Sequence, residues 1–240
     1  MKPNTDRERV HFGAGELGAT RSMSVFINCP YDDDYRPIFD GVLFATVCCG
    51  FLPRSAIESG CTSVPRMDRI TSALLSSKYS IHDLCRCKGE GDANLARFNM
   101  PLELGVCMAQ RFGPEGKENH DWLLLVPLKS EYARYLSDLA GFDPKQNDGT
   151  VETIVPAVMS WLATRPDAVR VPPPNEVLDA LTVFQEEKVR LEKAWRGEVP
   201  WADIVLLGMR IAREKGLSVE PRIILRRNIT LSAVSTTVAL

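Results

Sequence analysis

The chain has 240 residues, 45% hydrophobic and 25% charged, with a formal net charge of −2. That composition is globular and is long enough for one α/β domain of about 150 residues with a smaller addition. It advertises no global positive field for nucleic acid. No apolar run reaches the ~18–20 residues of a membrane span. Residues 1–9 lack the apolar core of a signal peptide, so a cytoplasmic protein is expected. Seven cysteines, an odd number without zinc spacing, read as reduced thiols and no metal site.

Residues 1–21 are rich in Gly and charge without periodicity, and a flexible leader is expected there. Residues 24–28, Ser-Val-Phe-Ile-Asn, read as a buried strand that Pro30 must end. Ile38, Phe39, Val42, Leu43 and Val47 space a helix over 35–49, closed by Gly50. A second strand is expected over 51–57, where Pro53 marks an edge or an irregularity. Ile70, Leu74 and Leu75 predict a helix over 67–77, and 78–84 a third strand. A helix follows over 100–112. The apolar run Trp122 to Pro127 predicts a central strand. Helices are expected over 132–139 and 150–164.

This alternation argues a flavodoxin-like, doubly wound parallel sheet of four to five strands over residues 22–164. A proline-rich linker is expected over 165–174. Two helices, 177–195 and Pro200 to about 215, predict a C-terminal helical hairpin within 175–216. The tail, 217–240, is either a strand or disordered.

Ligands of open α/β sheets bind beyond the carboxyl ends of the strands. The first strand offers Asn28, Cys29 and Tyr31 there, and the second offers Arg54 and Glu58. The third offers His82, Asp83 and Arg86, and the helix after it Asn99 and Glu103. With Pro101 in the first turn and Asn99 as cap, Glu103 is expected near unpaired N–H groups, which favour an ionised carboxylate. Such a carboxylate can attack an anomeric carbon or stabilise an oxocarbenium-like transition state. The alternative is a surface carboxylate complementing the helix dipole. Asp83 is either a positioning carboxylate or a turn cap. His82 alternates with Asp83 and reads as a packed histidine. Arg54 either holds a phosphate or pairs with Glu58 or Asp83. No Walker loop or dinucleotide Gly fingerprint is present.

Val25-Phe26-Ile27-Asn28-Cys29-Pro30-Tyr31, Gly50-Phe51 with Arg54, Ile81-His82-Asp83-Leu84 and Arg97-Phe98-Asn99-Met100-Pro101-Leu102-Glu103-Leu104-Gly105 resemble bacterial nucleoside 2-deoxyribosyltransferase-like, TIR-like proteins. The resemblance covers residues 23–162, and the helix motif is its most specific part. It implies Glu103 as nucleophile or oxocarbenium stabiliser. It maps the family's strand-end aspartate onto Asp83, contacting base or ribose, with residues 28–31 bordering the sugar. It implies cleavage of a base–(deoxy)ribose bond in a nucleoside, nucleotide or NAD, as in bacterial anti-phage systems. No cofactor is implied, and NAD enters only as a substrate. The first loop departs from the family's nucleotide hydrolases by lacking their Gly-rich phosphate cradle. The hairpin lies outside the resemblance. It suggests an alternative: a non-catalytic nucleotide-sensing or scaffolding module that acts through residues 175–216 on a protein partner or a second copy.

Overall fold

The computed structural model describes residues 17–18, 20–58, 63–87, 98–114, 120–168, 171–217 and 224–225. In chain order the strands are β1 (Leu17–Gly18), β2 (Ser24–Asn28), β3 (Leu52–Ser55), β4 (Tyr79–Asp83), β5 (Asp121–Pro127), β6 (Lys145–Asn147) and β7 (Ile224–Leu225). The helices are α1 (Arg36–Cys48), α2 (Arg66–Leu75), α3 (Asn99–Phe112), α4 (Tyr132–Tyr135), α5 (Val151–Ala163), α6 (Pro174–Trp195) and α7 (Trp201–Glu214). The leader expected over 1–21 ends sooner: β1 pairs antiparallel with β7, and Arg21–Met23 forms a 3-10 turn. Residues 1–16, and the tail outside β7 beyond Leu217, lie outside the described residues.

Five strands form one parallel sheet in the order β3-β2-β4-β5-β6, the doubly wound α/β arrangement expected. Both faces are covered, so β2 is buried at all five positions, with Val25, Phe26 and Ile27 apolar in succession. Alternation divides it between two cores. Val25 and Ile27 join Tyr79, Ile81, Leu123 and Leu125 beneath α1 and α5, while Phe26 joins Leu124, Val126 and Leu104 beneath α2 and α3. Pro53 sits on β3, whose ladder runs to β2 alone, so the edge reading of that proline holds. The fifth strand, β6, carries Lys-Gln-Asn and no apolar signal.

The C-terminal helices are not an appendage. The interior of α1 from Phe39 to Cys48 is buried on every side, because the sheet lies beneath it and α5, α6 and α7 cover the rest. Phe184 of α6 stacks on Phe44 with centroids 5.0 Å apart. Lys188 Nζ donates to Asp40 Oδ1 over 2.6 Å, with both residues under 10% exposed. Trp201 Nε1 donates to the Pro53 carbonyl over 3.1 Å. Gly41 lets α1 approach α5, since a Cβ there would meet Val155 Cγ2 at 3.1 Å. The proline-rich stretch 165–174 thus joins two parts of one core, and α6 begins within it at Pro174.

Candidate functional site

Strand order reverses between β2 and β4, which is where a doubly wound sheet opens a crevice at its carboxyl edge. The register sets Asn28 opposite His82, so Cys29 and Asp83 leave the sheet side by side. The chain after β4 returns as α3, whose first turns lie against this edge. Asn28 Nδ2 donates to the Met100 carbonyl over 3.0 Å and to His82 Nδ1 over 2.8 Å.

Glu103 is the fifth residue of α3, not a first-turn residue, and Phe98 rather than Asn99 occupies the cap position. Neither makes a side-chain cap. The free N–H groups of the helix end therefore do not reach Glu103. It is 6% exposed, and its Oε2 has no hydrogen-bond partner among the described residues. Burial raises its pKa from 4.5 to about 7, against a weaker opposing pull from Arg66. The expectation of a carboxylate held ionised by the helix end is thus corrected: Glu103 lies beyond the first turn of α3, and burial raises it. At neutral pH the group is divided between its two forms, a state suited to general acid–base work as well as attack.

Asp83 is fully buried, and both its oxygens are engaged by protein donors. The Cys85 N–H donates to Oδ1 over 2.7 Å, and the Tyr35 hydroxyl donates to Oδ2. Burial pushes its pKa up, while these donors pull the other way. Asp83 therefore organises the turn after β4 and the entry to α1, rather than standing free for a ligand. Tyr35 is the residue that sequence reasoning missed. Its only signal is an aromatic next to an acidic run just before a helix. Tyr35→Phe strips a donor from a buried carboxylate and is expected to cost about 2 kcal/mol, read as a lower urea midpoint with an unchanged slope.

The other predicted residues divide. Cys29 is buried beside this pair; burial first and the Asp83 charge second push its thiol pKa up, so it is not an activated nucleophile. Tyr31 lines the first loop, half exposed, with its hydroxyl 3.0 Å from Ser55 Oγ and its ring edge-on to Phe39. Burial is the main cause that raises Tyr31 and Cys29, and the Glu103 charge adds to it in both. Arg54 forks onto Glu58, with contacts of 2.8 and 2.5 Å. Of the roles open to Arg54, pairing with Glu58 is realised. Asn99 lies exposed at the start of α3. His82 is fully buried, as its packed reading expects.

Among the described residues, no group of three or more His, Cys, Asp or Glu side chains could hold a metal ion. No helix among them is long and apolar enough to cross a membrane. In comparisons of sequence and fold, the chain matches no protein-family model, no curated protein and no solved structure.

Proposed function

We propose that the chain is an N-glycosidase or deoxyribosyltransferase-like enzyme of the cytoplasm that cleaves the base–(deoxy)ribose bond of a nucleoside, nucleotide or NAD, as a bacterial defence effector would. The observation that carries the reading is Glu103: a buried carboxyl near the strand-order reversal whose Oε2 has no hydrogen-bond partner among the described residues, with a pKa raised to about 7. A buried carboxyl oxygen without a hydrogen bond is costly, and such groups cluster where chemistry needs them.

In this reading the Glu103 carboxylate attacks the anomeric carbon, forming a C–O bond as the C–N bond breaks. The electron pair leaves with the base, which takes a proton from water. Water, or a second base, then displaces the carboxylate and carries the sugar away. Tyr31 borders the sugar, and Asp83 acts through Tyr35 to hold the loop in place. The nucleotide-sensing alternative needs a hairpin free to signal; α6 and α7 are instead built into the α1 core.

The test is incubation with a panel of nucleosides, nucleotides and NAD, reading free base by chromatography. Release of base from at least one member is expected. Saturable binding with no release by intact, folded protein would favour the sensing module instead.

A further inference from the structure

A chain of buried hydrogen bonds behind the site has only one consistent direction. His120 Nδ1 lies 3.0 Å from the Ser77 carbonyl, which can only accept, so Nδ1 carries the proton and Nε2 is an acceptor. Ser80 Oγ is 2.8 Å from that Nε2, so the hydroxyl donates to it. The Ser80 oxygen then accepts from His82 Nε2 over 2.7 Å. His82 Nδ1 is left as an acceptor, and it takes one Asn28 amide proton. The second proton goes to the Met100 carbonyl. Ser80, His82 and His120 are fully buried, and Asn28 is 2% exposed. Burial holds both imidazoles neutral, lowering His82 to about 3 and His120 to about 4. No member can turn round without setting acceptor against acceptor.

Asn28 therefore has no free donor. Both of its side-chain hydrogen bonds among the described residues use Nδ2 and none reaches Oδ1, and the residue stands at the carboxyl end of β2 beside the reversal. The same amide ties β2 to the turn of α3 that leads into Glu103. We propose that Asn28 is a specificity-determining residue that shows the ligand an acceptor only, Oδ1, and so selects a hydrogen-bond donor: a sugar hydroxyl or a base amino group. Ser80, His82 and His120 are positioning residues that hold this orientation. The inference rests on the N-glycosidase reading for what the ligand is, but not for which way the amide faces.

Two measurements test it. Nitrogen-15 NMR of the imidazoles near neutral pH is expected to find His82 protonated on Nε2 and His120 on Nδ1; His82 protonated on Nδ1 overturns the proposal. Calorimetric titration of wild type and Asn28→Ala then compares adenosine, 2′-deoxyadenosine, 3′-deoxyadenosine and purine riboside, which lacks the amino group. One analogue is expected to bind wild type about tenfold more weakly than adenosine, the order expected of one hydrogen bond. In Asn28→Ala the gap should shrink below about twofold. Which analogue it is separates hydroxyl from amino group.

His82→Leu should lose about tenfold for adenosine. His82→Gln, which offers Oε1 to Asn28 and Nε2 to Ser80, should recover to within about threefold. Equal binding of all four ligands by wild type, or discrimination surviving in Asn28→Ala, ends this inference and leaves the glycosidase reading standing. Failure of wild type to bind any of the four at millimolar concentration, with the tautomers as expected, ends this inference, and the glycosidase reading is then decided by the base-release panel alone.

Discussion

Glu103→Gln is expected to cut base release by at least about a thousandfold, or about 4 kcal/mol of barrier, while making the protein more stable at alkaline pH. The two effects share one cause. The carboxyl is buried, its Oε2 has no hydrogen-bond partner among the described residues, and its folded pKa stands at about 7 against an ordinary 4.5. A raised carboxyl pKa means that the folded state holds the proton longer than the unfolded chain does. Stability is therefore lost as pH climbs from about 4.5 to about 7, and the full penalty, about 3 kcal/mol, persists above that window. Gln has the same shape and no charge to desolvate, so the variant lacks this pH dependence.

Urea denaturation at pH 5 and pH 8 should show the variant gaining on wild type only at the higher pH. Wild-type kcat/KM should rise through about pH 7, as the attacking form appears. Base release by Glu103→Gln within tenfold of the parent would remove the nucleophile from the mechanism. Such a trade of stability for activity is common where a reactive group must be kept dry.

A chain ending at Ala168 is expected not to fold cooperatively, and Phe184→Ala in the full chain to lose about 3–5 kcal/mol. Phe184 is fully buried on Phe44, and a Cβ added to Gly208 of α7 would meet the Phe184 ring at 3.5 Å. Without α6 and α7, the outer side of α1 would meet water along Phe44, Val47 and Cys48, and Asp40 would lose its Lys188 partner. Near-UV circular dichroism and thermal melts read both variants. A truncated chain that melts cooperatively with a native near-UV signal would make the hairpin a separate unit.

The parallel sheet was legible because its strands are apolar on both faces: Ser24–Asn28 reads as a strand with no competing helical spacing. Pro30 and Gly50 punctuate it, and the alternation does the rest. The polar edge strand Lys145–Asn147 was not legible, because it is held by a ladder to β5 and by the Asn147 amide on the Val126 carbonyl, neither of which leaves an apolar pattern. The site was legible as positions, since strand ends and a Pro-started helix place Asn28, Asp83 and Glu103 near one crevice. Their ionisation and partners were not. Whether Glu103 meets helix N–H groups or a dry pocket turns on one residue of helix phase, which Pro101 alone does not settle. The Tyr35–Asp83 and Asn28–Met100 bonds join segments 48 and 72 residues apart, and no local pattern encodes them.

Both borders of the sheet resist extension by a further strand. At one border, Pro53 has no N–H to offer, and its carbonyl is already taken by the Trp201 indole. At the other, β6 is three residues long, with Lys145 and Gln146 exposed to water. Both edges of this sheet are thereby blunted against pairing with a strand of another chain.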